Sequence, residues 1–191
     1  MKVGVMGGTF DPIHLGHLRA AENAREGLAL DEVRFLPAQV PPHRPAPASS
    51  ARDRFAMVAL ATSSHPRFVA DDLELRREGP SYTVDTVARL REERPADEVV
   101  LIVGSDTLPE LPSWKDYDRL RRLCSVAVVS RPGDGGPGKD APAAAGVQHV
   151  PGPGLPVSAT DIRQRVKEGR SVRYLVPDAV ADYIAKRGLY R

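Results

Sequence analysis

Between Gly7 and His17 the chain reads GGTFDPIHLGH, directly after the apolar run KVGVM at 2–6. Glycines at a strand end let the main chain approach an anion closely, and a helix starting just beyond presents unpaired N–H groups to it. His14 and His17, three residues apart at that helix start, point to one side and could donate hydrogen bonds to phosphate oxygens. Two other readings share these residues, a metal pair and a plain strand-to-helix turn. Zinc would need a third ligand at suitable spacing, and His43, His65 and His149 lie in unrelated segments. The spacing G-V-M-G-G-T lacks the third glycine of the dinucleotide fingerprint, and no Gly-Lys-Ser/Thr follows to make a P-loop.

These residues need elements to position them. Short β-branched runs at 2–6, 33–38, 67–75, 98–104, 125–130 and 147–150 read as strands. Helical spacing appears in HLRAAENAREGL, in the stretch from 51 and in the stretch from 83. Strand and helix alternate, which predicts an α/β fold with a mostly parallel sheet flanked by helices. VSATDIRQRVKEG opens with a Ser158 to Asp161 capping pattern, and VPDAVADYIAKRG has Pro177 at a helix start and Gly188 at its end. Two helices therefore form a C-terminal helical part, 155–191, of an expected single domain, 1–191. Between them and the last predicted sheet elements, 13 of the 26 residues from 131 to 156 are Pro or Gly, too many for a crossover helix, and the segment reads as a mobile surface loop around one short strand.

The composition narrows the class. At 191 residues the chain can bury one sizeable core. Lys and Arg total 27 against 25 Asp and Glu, a net charge of +2 that provides no global field for nucleic acid, so an anionic ligand must be held locally. Cys124 is the one cysteine and sits in LCSVAVV as a small buried hydrophobe. MKVGVMGG is not a signal peptide and no segment has the length to cross a bilayer, so a cytoplasmic protein is expected, with no membrane partner. A homo-oligomer is compatible with the sequence.

The stretch from Gly8 to His17 resembles the Gly-x-Phe-Asp-Pro-x-His-x-Gly-His signature of the nucleotidyltransferase superfamily, through Gly8, Phe10, Asp11, Pro12, His14, Gly16 and His17. PVSATDIRQRV resembles the superfamily's second phosphate signature, Ile-Ser-Ser-Thr-x-Ile-Arg, through Ser158, Thr160, Ile162 and Arg163. Ala159 departs from it, removing a hydroxyl but not the N–H of a helix start. VPPHRP, GPSYTVDT, IVGSDTL, LPSWKDYDRL, VSRPG and YIAKRGLYR are similar to segments of the bacterial nicotinate-mononucleotide adenylyltransferases. Outside the Pro/Gly-rich loop this covers essentially the whole chain. The resemblance implies a Rossmann-like nucleotidyltransferase fold and the conversion of ATP and nicotinate mononucleotide to nicotinate adenine dinucleotide and pyrophosphate, a step of NAD biosynthesis. The alternatives are an acceptor of nicotinamide mononucleotide or phosphopantetheine, or a nucleotide sensor without catalysis.

The resemblance also implies a site. It assigns ATP to Gly7, Gly8, Thr9, Phe10, His14, His17, Gly104, Asp106, Ser158, Thr160, Ile162 and Arg163, with His14, His17 and Arg163 catalytic. It assigns the mononucleotide to His43, Arg44, Tyr82, Thr83, Trp114 and Arg131. Thr83 lies near a predicted helix start, where the macrodipole favours a carboxylate over a carboxamide, so Tyr82, Thr83 and the Trp114 main chain would suit nicotinate. The Trp114 indole, in a loop beside charged residues, could stack on a pyridine ring. No dedicated metal site is expected, because Mg²⁺ would arrive on the ATP phosphates with its waters. Asp11 is the one acid near the first motif, and Asp before Pro is also a common turn former.

Overall fold

Apolar residues occupy consecutive positions in EVVLIVG and SVAVV, the pattern of strands covered on both faces. In a computed structural model of the chain, which describes residues 1–42, 45–130, 147–152 and 154–191, these runs lie inside a six-stranded sheet. The elements follow as β1 (Lys2–Gly8), α1 (Leu15–Gly27), β2 (Glu32–Pro37), α2 (Ala51–Thr62), β3 (Phe68–Ala70), α3 (Thr83–Glu93) and β4 (Glu98–Gly104). A 3-10 segment (Ser105–Ser113) leads to α4 (Tyr117–Leu123), β5 (Ser125–Val129), β6 (Val147–Val150), α5 (Ala159–Lys167) and α6 (Asp178–Arg187). Every strand pair is parallel, in the order β3-β2-β1-β4-β5-β6. That order reverses direction between β1 and β4, the switch point at whose strand C-termini open α/β sheets bind ligands.

Alternation along each strand divides the core in two. Met6, Val33, Phe35, Val100, Ile102, Ala127 and Val129 pack with α1, α2, α5 and α6 on one face. Val5, Leu36, Val99, Leu101, Val103, Val126 and Val128 pack with α3, α4 and the 3-10 segment on the other. The predicted parallel α/β fold is therefore the observed one, and no helix among the described residues is long and apolar enough to cross a membrane.

Three local expectations change. The strand expected at 67–75 is only β3, because Asp71 accepts from the Leu73 N–H and the chain turns there. β1 runs two residues further than 2–6, since Gly7 and Gly8 still pair with Leu36 and Pro37. The 3-10 segment and α4 form where the hydrophobic pattern predicts no element. Pro109 and Pro112 inside the former carry no N–H, which suits short 3-10 turns better than an α-helix. Most of the loop expected at 131–156 lies outside the described residues, but its short strand is β6, at the sheet edge.

Helix α6 docks on α2 through a buried carboxylate. Asp53 accepts hydrogen bonds from Ser50 Oγ (2.6 Å), Tyr183 OH (2.9 Å) and Arg187 Nε (3.3 Å). The Ser50 hydrogen bond, then the Tyr183 hydroxyl and the Arg187 charge, hold its carboxyl below the usual carboxylate range. A depressed folded-state pKa means that this stability is complete above the unfolded value and is lost as pH falls through the folded one. Asp53→Ala is thus expected to cost about 1–2 kcal/mol at neutral pH. Urea titrations of both proteins should show that gap closing in acid; a gap that persists there would contradict the assignment.

Candidate active site

At the switch point the strand ends open into a cleft of about 770 Å³, within the usual range of small-molecule sites, roughly 300–1,000 Å³. It is lined from both faces of the sheet. Gly7 to Asp11, His14, Gly16 and His17 come from the β1–α1 connection, and Ser158, Ala159, Thr160 and Arg163 from the start of α5. Tyr82, Thr83, Gly104, Asp106 and Trp114 come from α3, the end of β4 and the 3-10 segment.

Two glycines keep space open around the first motif. A Cβ on Gly7 would meet no protein atom within 4 Å, so its exposed backbone borders open cleft. At Gly16 a Cβ would stand 3.0 Å from the His14 ring, so only glycine lets the two histidine rings keep their places. His14 caps α1 and His17 is its third residue, with the rings stacked 3.7 Å apart at 24°. His17 Nδ1 accepts the His14 N–H at 3.2 Å, which puts the proton of a neutral imidazole on Nε2 and makes that atom a donor. Beneath them Phe10 adopts φ of 50°, an unfavourable turn for a bulky residue, and packs edge-on against His17 at 5.1 Å.

Arg163 joins the two motifs. Its Nη1 donates to the Asp11 carbonyl at 2.8 Å and its Nη2 to Thr160 Oγ1 at 3.2 Å. Ser158 caps α5 by accepting the Asp161 N–H at 3.1 Å, as its capping pattern predicted, and leaves the first N–H groups of α5 beside the cleft. Residues 152 positions apart in sequence therefore share one face of the cleft.

Asp11 turns inward. Its carboxylate accepts from the Ala48 N–H (2.6 Å), from Tyr190 OH (2.7 Å) and from the Ser49 hydroxyl. Burial pushes the Tyr190 phenol upward, so it remains a donor. These bonds occupy the carboxylate as a tie between the first motif, the start of α2 and the chain's penultimate residue.

On the other face Thr83 is the first residue of α3, where an N–H has no intrahelical acceptor. Lys115 spans the neighbouring segment, with Nζ 4.5 Å above the Tyr82 ring and 3.1 Å from Asp85. Trp114 is half-buried against the second core cluster and lines the cleft. Its main-chain N–H donates to the Leu111 carbonyl at 3.1 Å and closes the 3-10 segment.

Other expectations also change. Ile162 is fully buried in the core and its N–H bonds to the Ser158 carbonyl, so it offers the cleft no side chain. His43, Arg44 and Arg131 lie outside the described residues. Cleft residues that sequence reasoning missed are Arg19, Asn23, Glu74, Glu110, Lys115 and Ser130. For Asn23 a signal existed: a polar residue on the buried face of α1 breaks the apolar pattern and asks for a polar neighbour.

A family model described as cytidylyltransferase-like matches residues 5–165. A probable nicotinate-nucleotide adenylyltransferase of Thermus thermophilus is 48% identical over 191 residues, covering 100% of both chains. The chain belongs to the nicotinate-nucleotide adenylyltransferase family. A member from Pseudomonas fluorescens is 44% identical, covering 100% of this chain and 97% of its own. The fold of this family member is likewise that of the Plasmodium falciparum nicotinic acid mononucleotide adenylyltransferase solved in complex with NaAD. That structure aligns with a TM-score of 0.79 and 17% identity over 99% of this chain and 97% of the other.

Proposed function

We propose that this adenylyltransferase transfers AMP from ATP to nicotinate mononucleotide, with nicotinate adenine dinucleotide and pyrophosphate as products. The observation that carries this reading is the Arg163 bridge to Asp11, which gathers two histidines and the N-terminus of α5 beside a cleft whose opposite wall holds Thr83 and Trp114. The first group suits a triphosphate, the second an aromatic acid.

The nucleophile is a phosphate oxygen of the mononucleotide, attacking the α-phosphorus of ATP in line. A phosphate monoester loses its second proton at a pKa of about 6, so at neutral pH no general base is required. Catalysis then consists of positioning and charge stabilisation. His14, His17, Ser158, Thr160 and Arg163 hold the triphosphate and stabilise the departing pyrophosphate, with Gly7, Gly8 and Thr9 admitting it to the backbone. Asp106, at the end of β4, accepts a hydroxyl from the adenylate ribose. Tyr82, Thr83 and the Trp114 indole orient the acceptor ring, with His43, Arg44 and Arg131 as further mononucleotide contacts.

Among the described residues no cluster of three or more His, Cys, Asp or Glu could hold a metal, and the Asp11 oxygens are already engaged. Mg²⁺ would be carried on the ATP phosphates. Bound there, it supplies neutralisation of phosphate charge.

Pyrophosphate release with ATP, Mg²⁺ and one acceptor at a time tests the reading. Nicotinate mononucleotide is expected to react at least about tenfold faster than its amide, since a charge-assisted hydrogen bond at a helix start contributes about 1.5–3 kcal/mol. Equal or faster release with the amide or with phosphopantetheine would overturn it. Tight ATP binding with no release would favour a sensor instead.

A further inference from the structure

Beside the cleft lies a buried cation. Arg54, near the start of α2, is 1% exposed and is among the largest fully buried side chains. Its Nη1 donates to the Thr9 carbonyl at 2.7 Å, and its Nη2 to the carbonyls of Ala38 at 2.6 Å and Gln39 at 3.3 Å. Among the described residues its hydrogen-bond partners are all main-chain carbonyls, and Nε has none. Desolvation lowers its pKa, offset by the charges of Asp11 and Glu74, but a guanidinium stays protonated in proteins. A methionine or leucine would fill this space without that cost of burial, so the reason for a guanidinium lies in what its fork joins.

It joins two walls of the cleft. Thr9 belongs to the glycine-rich turn after β1, and Ala38 and Gln39 follow β2. From Gln39 the link continues, because its N–H donates to Ser81 Oγ at 2.9 Å. Ser81 adjoins Glu74, a buried carboxyl that also accepts from Thr86 Oγ1 at 2.7 Å. Ser81 directly precedes Tyr82 and Thr83, the start of α3. A buried polar chain therefore runs from the triphosphate side to the acceptor side, and Arg54 is the one member that spans two loops with a single rigid group.

We propose that Arg54 is a positioning residue that sets the separation of the ATP loop and the acceptor-binding start of α3, and so the in-line approach of nucleophile to α-phosphorus. This rests on the adenylyl-transfer reading. The triphosphate contacts at the β1–α1 turn and the acceptor contacts at the start of α3 lie at opposite ends of this link, so its loss disturbs their mutual alignment more than either affinity. Misplacement by about 1 Å costs on the order of 100-fold in rate.

Arg54→Lys keeps the charge but has one ammonium where the fork bridged two loops, and Arg54→Met keeps only the volume. Turnover by pyrophosphate release is measured per folded molecule, and calorimetry gives the Kd of ATP and of nicotinate mononucleotide, each titrated alone. Expected is a fall in kcat of about 10-fold or more for Arg54→Lys and about 100-fold for Arg54→Met, with each Kd within about threefold of wild type. An Arg54→Lys kcat within threefold of wild type overturns the proposal, as does a loss located wholly in one ligand's Kd. Should Arg54→Met not fold, the lysine variant decides alone. A wild-type protein that released no pyrophosphate would overturn the parent reading as well, whereas an active wild type beside an undiminished Arg54→Lys overturns only the role of Arg54.

Discussion

His17→Ala is expected to lower kcat by at least about 100-fold, or about 2.7 kcal/mol, while the protein stays folded. The His17 ring is only partly buried and fills no core space, so its loss leaves no large cavity. What disappears is a donor in a fixed place. The His14 N–H holds Nδ1, His14 stacks on one face and the Phe10 edge meets the ring, so Nε2 is aimed before substrate arrives. Such a donor strengthens its hydrogen bond as charge builds on the leaving pyrophosphate and pays no reorganisation at that moment. The variant also loses the hydrogen bond to the His14 N–H at the α1 start, about 1 kcal/mol of stability, so turnover must be measured per folded molecule. Single-turnover pyrophosphate release at saturating ligands reads the effect, and near-wild-type turnover would remove His17 from the machinery.

Trp114→Ala is the second large effect, and it should fall on one substrate. Its indole borders the cleft next to Tyr82 and Lys115, on the wall fed by α3 and the 3-10 segment, away from the histidines and α5. Stacking of a heteroaromatic ring on an indole contributes about 1–3 kcal/mol, so mononucleotide affinity should drop at least about tenfold. ATP affinity should change by less than about twofold. The indole also packs on the second core cluster, and some stability goes with it, but a merely structural loss would weaken both ligands alike. Equal losses in paired titrations would refute the stacking role.

Much of this site was legible along the chain because it depends on local rules. Gly7 and Gly8 at a strand end, Gly16 between two histidines, Ser158 capping α5 and Thr83 opening α3 each leave a residue-type signature within one turn of their place of action. The continuous apolar runs of β4 and β5 likewise announced strands covered on both faces. Where local rules failed, a longer contact had intervened. Asp71 ends β3 early and is also paired with Arg34 of β2, at 2.7 Å.

By itself, then, the sequence determined the parallel α/β class, the glycine-rich strand-to-helix turn, the capped start of α5 and the helix start at Thr83. These follow from glycine conformation, capping chemistry and hydrophobic period. The tertiary structure alone decided that Arg163 meets Asp11, that the Asp11 carboxylate faces Tyr190 rather than a ligand, that Ile162 is core, and that Arg54 and Glu74 brace the cleft. The physical reason is the kind of partner involved. Arg54 binds main-chain carbonyls, and Arg163 reaches one 152 residues away. Every residue carries a carbonyl, so no side-chain type along the sequence marks which one a buried guanidinium will find.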